Sequence, residues 1–361
     1  MAFTSGIIGL PNVGKTTIFN ALSGAGAHMA SYPFTTIEPN RAVVPVPDPR
    51  LAAIAKILHK SNPIPTTTEL IDIAGLVKGA SRGEGLGNAF LGHIRSVDAL
   101  IHVVRCFENE DAQHVMGSVD PARDVDVVTT ELVLADYEHL ARENEKLAKR
   151  ARIGDKDAIS RMELLEPMIR HLSAGNCLRA LELSAPMREI EREHGLITAK
   201  PILYVANLGE TAPVPSMLET LRARASSEGA GLIEIVGKLE EEIAELGSSE
   251  KDEYLHAMGL ERSGLDSLVE AAYRLLGLIT YYTATTDLQA WTLPVGTTAR
   301  EAAGRIHTDF ERGFIRAEVV RYADLVRAGG EAEARLKGLL RAEGRDYVIA
   351  DGDIVHYLFN V

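Results

Sequence analysis

Two cysteines, one tryptophan and an aromatic content of only 5% in 361 residues remove several classes of protein at the outset. Cys106 and Cys177 both lie in apolar stretches, too few for a disulfide framework or a cysteine-built metal cluster, so the cytosol is the expected compartment. No uninterrupted apolar run approaches the roughly 18 residues of a membrane span, and no membrane partner is expected. The opening MAFTSGIIGL lacks a basic segment, and cleavage of a leader there would remove the strand that feeds the first motif. Basic residues are also in deficit. Against 51 Asp and Glu stand 38 Lys and Arg, a net charge of −13, so the surface as a whole is no nucleic-acid-binding face and DNA is not an expected partner.

What is present has an ordinary globular balance, 46% hydrophobic and 25% charged, in a length that suits two or three domains. Short apolar runs at 6–10, 70–73, 99–104, 202–205 and 232–236 alternate with helical patterns. Such runs indicate a mostly parallel sheet covered on both faces, an α/β fold. From 125 to 199 the rhythm breaks. Val133, Tyr137, Leu140, Leu147 and Ala151 form one helical stripe, and Ile159, Met162, Leu165, Ile169 and Leu172 form another despite Pro167. Gly154 and Asp155 punctuate the two, which predicts an inserted helical hairpin. The insert holds 11 basic and 14 acidic residues, yet Lys146, Lys149, Arg150, Arg152 and Lys156 gather at its turn with only Asp155 close by. From 278 to 361, strands are expected at 280–282, 291–295 and 347–349, with a helix over 298–306, making an α+β module. The expected division is therefore 1–124 with 200–277, then 125–199, then 278–361.

Gly9-Leu10-Pro11-Asn12-Val13-Gly14-Lys15-Thr16 matches G-x4-G-K-[ST] between an apolar strand and an amphipathic helix. The glycines let successive N–H groups from Asn12 to Thr17 turn inward on phosphate oxygens at a helix N-terminus. Lys15 is placed to neutralise β/γ-phosphate charge, and Thr16 to put a hydroxyl on Mg²⁺. Downstream, Asp72-Ile73-Ala74-Gly75 ends a strand. Asp72 can hold Mg²⁺ through water, and the Gly75 N–H can meet the γ-phosphate. Between the two lies YPFTTIEPN (32–40), whose threonines suit a loop that grips Mg²⁺ only while triphosphate is bound.

Taken together, GLPNVGKTT (9–17), YPFTTIEPN (32–40), DIAGLVKGASRGEGLGNAFLGHIR (72–95) and HVVRCFEN (102–109) resemble the YchF branch of the Obg-like ATPases. AWTLPVGTTAREAAGRIHTDFERGFIRAEV (290–319) and RAEGRDYVIADGDIVHYLFNV (341–361) resemble the TGS domain of that family. The likeness runs over nearly the whole chain, most loosely in the hairpin and at 209–260. It implies a G domain interrupted by an antiparallel coiled coil and followed by a β-grasp TGS module. It further implies a cytoplasmic, Mg²⁺-dependent ATPase that associates with the ribosome, with the hairpin tip 146–156 and the TGS module as contact regions. The same resemblance makes Thr36 the metal-binding threonine and His114 the candidate catalytic histidine. It also relates Asn12 to the asparagine of potassium-stimulated relatives.

The base is read further along. GTPases of this class carry N-K-x-D after the strand at 201–206, whereas this chain has Asn207-Leu208-Gly209-Glu210. The aspartate of that motif accepts from guanine N1–H and the 2-amino group. Adenine offers neither donor, so a carboxylate held there would be left unpaired at a cost of roughly 1–3 kcal/mol. Glu210 is longer and can turn away, Leu208 offers an apolar wall, and Asn207 can serve adenine N7 and the 6-amino group. The second base-side turn is expected at Gly237. ATP is the expected nucleotide, with weaker use of GTP; a conventional GTPase with a degenerate base loop is the alternative. Leu76 stands where many GTPases have a water-orienting glutamine, and an aliphatic side chain there makes turnover slow.

Overall fold

In the computed structural model, five apolar runs become parallel neighbours in one sheet, and their carboxyl ends open on a common edge. The structure describes residues 3–24, 28–29, 40–73, 86–109, 114–210 and 215–360, with backbone alone at 28–29, 86–89, 248–249 and 252. Strands β1 (Thr4–Ile8), β2 (His28–Met29), β3 (Asn40–Pro45), β4 (Thr67–Asp72), β5 (Ala99–Arg105), β6 (Ile202–Asn207) and β7 (Gly231–Ile235) lie in the order β2-β3-β4-β1-β5-β6-β7. β4, β1, β5, β6 and β7 run parallel, while β2 pairs antiparallel with β3. Every residue of β5 and β6 is buried, which explains their continuous rather than alternating hydrophobicity. The chain passes from β1 to β2 and β3 on one side and from β5 to β6 on the other, so the crevice between β1 and β5 is a topological switch point. Asp72, Arg105 and Asn207 end their strands at that edge, and Gly237 follows β7 closely.

A histidine is among the polar residues buried in this core. His102, in β5, is 1% exposed and packs against Tyr204. Burial, helped by Arg179, Lys15 and Arg224, draws its imidazole down to about 3. The folded chain thus keeps His102 neutral while the unfolded chain protonates it below about 6.5. The contribution is fully present above that pH and is lost as pH falls towards 3, by about 2–3 kcal/mol at pH 4.5. His102→Leu is expected to flatten the acid limb of a urea-denaturation stability profile by that amount. An unchanged slope between pH 7 and 4.5 would refute the assignment.

The hairpin consists of helices Pro121–Ala151 and Lys156–Ser173. The first begins at 121 rather than 125 because Asp120 caps it, accepting from Arg123 N, and Pro121 occupies the first turn. Asp155 caps the second through Ala158 N, after a left-handed Gly154. Val133, Leu140, Leu147, Leu165 and Leu172 fill the seam, with Tyr137, Ala151, Met162 and Ile169 packed at its margin. Ile159 of the expected stripe is instead exposed. At the tip Arg150 pairs with Asp155 at 2.7 Å and Lys146 with Glu143 at 3.3 Å; Lys149, Arg152 and Lys156 are exposed.

The base of the hairpin is tied to the helix Leu86–Ser96 by a buried carboxylate. Asp136, 0% exposed, accepts from Arg95 Nη1 at 3.1 Å and from the N–H and hydroxyl of Thr198 at 2.7 and 2.8 Å. The same Arg95 nitrogen reaches the carbonyls of His194 and Gly195, each at 3.3 Å. Lys200 Nζ donates to the Arg95 and Val97 carbonyls at the end of that helix. Among the described residues no helix is long and apolar enough to cross a membrane.

A second compact unit comprises residues 45–68 and 273–361. Strands β8 (Leu278–Thr283), β9 (Gln289–Pro294), β10 (Phe314–Arg321), β11 (Arg341–Glu343) and β12 (Asp353–Phe359) form a sheet in the order β11-β10-β12-β8-β9. The helix Ala299–Ile306 covers one face through Ala299, Ala302 and Ala303, as a β-grasp requires. The other face packs on Leu51 and Ile54 of the helix Pro49–Ile57. That helix lies within the segment 1–124 expected to belong to the G domain. Its apolar side instead meets Tyr282, Ala290 and Val320, and Arg50 binds Asp48 and Asp351. The expected strand at 347–349 is a single bridge between Thr298 and Val348, while β10 and β12 occupy the centre of the sheet.

Candidate functional site

The phosphate loop joins β1 to the helix Lys15–Gly24. Gly9 and Gly14 have positive φ, 150° and 93°, and a Cβ on either would collide, with the Val103 carbonyl and the Asn207 amide respectively. Glycine is needed at both positions for space as well as for conformation. Asn12 adopts φ 60°, a left-handed backbone in a residue that tolerates it. Val13 is buried, Asn12 and Thr16 are exposed, and Thr17 is half-buried in the first helical turn.

Lys15 is 7% exposed and folds back over the loop, its Nζ donating to Leu10 O at 2.7 Å. Burial draws the ammonium down to about 8, with Asp72 pulling it upward. Burial likewise pushes the Asp72 carboxyl up, with Lys15 and Thr16 opposing. Both groups are shifted towards neutrality, so for each desolvation outweighs their mutual attraction. An arriving polyphosphate would relieve Lys15 and a cation would relieve Asp72. Thr16 Oγ1 donates to Asp72 Oδ2 at 3.3 Å, whereas among the described residues the buried Asp72 Oδ1 has no hydrogen-bond partner. A hydroxyl and an under-used carboxylate beside a phosphate loop are the oxygen donors that Mg²⁺ prefers, and the residues present fit it.

Asn207 is 4% exposed, and its amide is engaged at both ends. Nδ2 donates to Val13 O at 2.9 Å, and Oδ1 accepts from Gly237 N at 3.0 Å. The residue expected to read the base therefore also braces the phosphate loop against the turn after β7. Leu208 N donates to Ile235 O, which fixes the path of the base loop. Leu208 is half-buried, and the exposed Glu210 is drawn to Lys238, Oε2 lying 2.9 Å from Nζ.

His114 is 6% exposed at the foot of the first hairpin helix. Its Nε2 lies 2.8 Å from Asp124 Oδ2, and its Nδ1 accepts from Met116 N at 3.2 Å. These partners make Nε2 the protonated nitrogen. Burial pushes the Asp124 carboxyl up, with Arg123 and His114 pulling the other way. Thr36 and Gly75, like Leu76, lie outside the described residues.

Three functional neighbours escaped the sequence reading: Asp124 behind His114, Lys238 beside Glu210, and Arg105. The first two are revealed only by folding. Arg105 had a visible signal, a charged residue closing an otherwise apolar strand.

Comparisons with known proteins bear on this geometry. A family model described as a 50S ribosome-binding GTPase matches residues 4–139, and one described as the YchF GTPase C-terminal region, of unknown function, matches 278–360. Proteins named "Ribosome-binding ATPase YchF" from Escherichia coli O157:H7 and Bacillus subtilis are 48% and 47% identical, covering 100% of this chain and of each relative. The solved structure titled the Schizosaccharomyces pombe YchF GTPase is 34% identical with a TM-score of 0.85, over 99% of this chain and 97% of that one.

Proposed function

Since the chain belongs to the YchF family, we propose that it is a cytoplasmic, ribosome-associated P-loop switch that binds ATP and slowly hydrolyses it to ADP and phosphate. The choice of base is carried by the Glu210–Lys238 pair, 2.9 Å apart. It draws the one carboxylate of the base loop to a lysine, leaving no acceptor fixed where guanine's two donors would need one. Leu208 offers adenine an apolar edge, and Asn207, which ties the loop to the phosphate site, would serve adenine N7 and the 6-amino group.

The catalytic roles follow the loop chemistry. Lys15 and the N–H groups from Asn12 to Thr17 hold the phosphates, and the Gly75 N–H meets the γ-phosphate. Thr16, Thr36 and, through water, Asp72 would hold Mg²⁺, which when bound neutralises phosphate charge. Asn12 is the residue through which potassium would act. His114 orients the attacking water once its contact with Asp124 opens, and the need for that opening, with an aliphatic Leu76 in place of a water-orienting glutamine, makes the free protein slow. The ribosome is contacted by the basic tip 146–156 and by the module 278–361, in keeping with the ribosome-binding names of the relatives.

Competition binding of ATP and GTP to the purified chain tests the base. ATP is expected to bind at least about tenfold tighter, since one charge-assisted hydrogen bond is worth more than about 1.4 kcal/mol. GTP binding tenfold tighter than ATP would sink this reading and favour the conventional GTPase. Sedimentation with ribosomes in the ATP, ADP and nucleotide-free states tests the partner, and its absence from the pellet in all three would remove it.

A further inference from the structure

Arg105 closes β5 at 1% exposure. A guanidinium so deep is costly unless hydrogen bonds satisfy it. Its Nε donates to Phe107 O at 3.0 Å, Nη2 to Asn109 O at 3.2 Å and Nη1 to Asn12 O at 3.4 Å. The Phe107 ring lies under it, 4.8 Å from Cζ to the centroid. Two of these carbonyls belong to the loop after β5. The third belongs to the phosphate loop, at its left-handed Asn12.

A trans peptide points its C=O and the following N–H in opposite directions. A donor that holds Asn12 O on the β5 side therefore turns the N–H of Val13 the other way, into the concavity where phosphate is bound. Asn207 acts in the same sense on the next peptide, holding Val13 O at 2.9 Å and so turning Gly14 N–H inward. Two consecutive carbonyls are thus held by side chains from the two strands beyond β1.

We propose that Arg105 is a positioning residue of the phosphate loop, pinning Asn12 O from behind so that the Val13 N–H is aimed at the β-phosphate. Its effect follows the phosphate chain and not the base. Lysine carries the charge but lacks the planar fork that spans three carbonyls, so it substitutes only in part. The inference rests on the proposed function only in that residues 9–16 take a nucleoside diphosphate or triphosphate.

Calorimetric titration of the full-length protein with Mg-ADP and with AMP tests it, alongside thermal melting. GDP and GMP replace them if the wild-type chain prefers guanine. Arg105→Gln is expected to weaken ADP by about tenfold to a hundredfold, the range for losing a charge-assisted donor. AMP, which has no β-phosphate, should change less than twofold, and Arg105→Lys should fall between wild type and Arg105→Gln for ADP. A merely structural arginine would weaken ADP and AMP by the same factor as the melting temperature drops, and that result overturns the proposal. So does an ADP affinity within twofold of wild type. If Arg105→Gln does not fold, Arg105→Lys is judged by the same ADP-to-AMP comparison. Wild-type protein that binds neither ADP nor GDP would sink the proposed function itself, whatever the variants do.

Discussion

Lys15→Ala lowers ATP turnover by about a thousandfold while leaving the nucleotide-free fold at least as stable as wild type. The first half follows from what the ammonium does: preorganised charge on a transferring phosphoryl group is worth about that factor. The second half follows from its burial. Lys15 is 7% exposed and drawn down to about 8, so the folded state holds it at a disadvantage relative to the unfolded chain. Alanine removes that disadvantage and suits the first turn of a helix. The same shift has a pH signature. With a folded-state value near 8, Lys15 is mostly neutral at pH 8.5, and phosphate, by favouring the ammonium form, makes it take up most of a proton on binding. Calorimetry in two buffers of different ionisation enthalpy measures that uptake. Lys15→Ala should abolish it, and turnover unaffected by the substitution would place the activity in a contaminant.

Rebuilding the base loop as N-K-G-D, with Leu208→Lys and Glu210→Asp together, is expected to move the GTP-to-ATP affinity ratio by about a hundredfold towards GTP. Guanine presents two donors to an aspartate in that position, each charge-assisted hydrogen bond contributing about 1.5–3 kcal/mol, and adenine presents none. The exchange also dissolves the Glu210–Lys238 pair, because aspartate is one methylene shorter. That pair is more than half exposed on both sides, so its own loss should cost little stability. Gly209 has to stay, since a Cβ there would lie 3.0 Å from Phe107 Cβ. A ratio within fivefold of wild type would mean that Leu208 and Glu210 do not set the base preference.

The phosphate loop was legible because its chemistry fixes residue types at fixed spacing. The parallel strands were legible because burial on both faces leaves continuous apolar runs. β10 was harder. Arg316, Glu318 and Arg321 interrupt FIRAEVVR, and only the burial of Ala317, Val319 and Val320 shows it to be a strand. The helix Pro49–Ile57 was misplaced for a different reason: an amphipathic face says that a partner exists, not which sheet supplies it. Asn207 was singled out in the sequence as a base-loop residue, while its contacts as a brace depend on β6 ending near the phosphate loop. The long partnership of His114 with Asp124 was equally hidden, because the nine intervening residues carry no periodic pattern that would bring the two together.

The attachment of Asp136 to Arg95 and Thr198 makes the outer hairpin a cantilever. The fifteen residues beyond Asp136, up to Ala151, lie in one uninterrupted helix, an arm of about 23 Å at 1.5 Å per residue. A 10° tilt at that anchorage sweeps the far end through about 4 Å, comparable to the reach of a salt bridge. A reorientation of the helix Leu86–Ser96 too small to disturb its own packing would therefore bring the exposed Lys149 and Arg152 into or out of register with a fixed anionic surface.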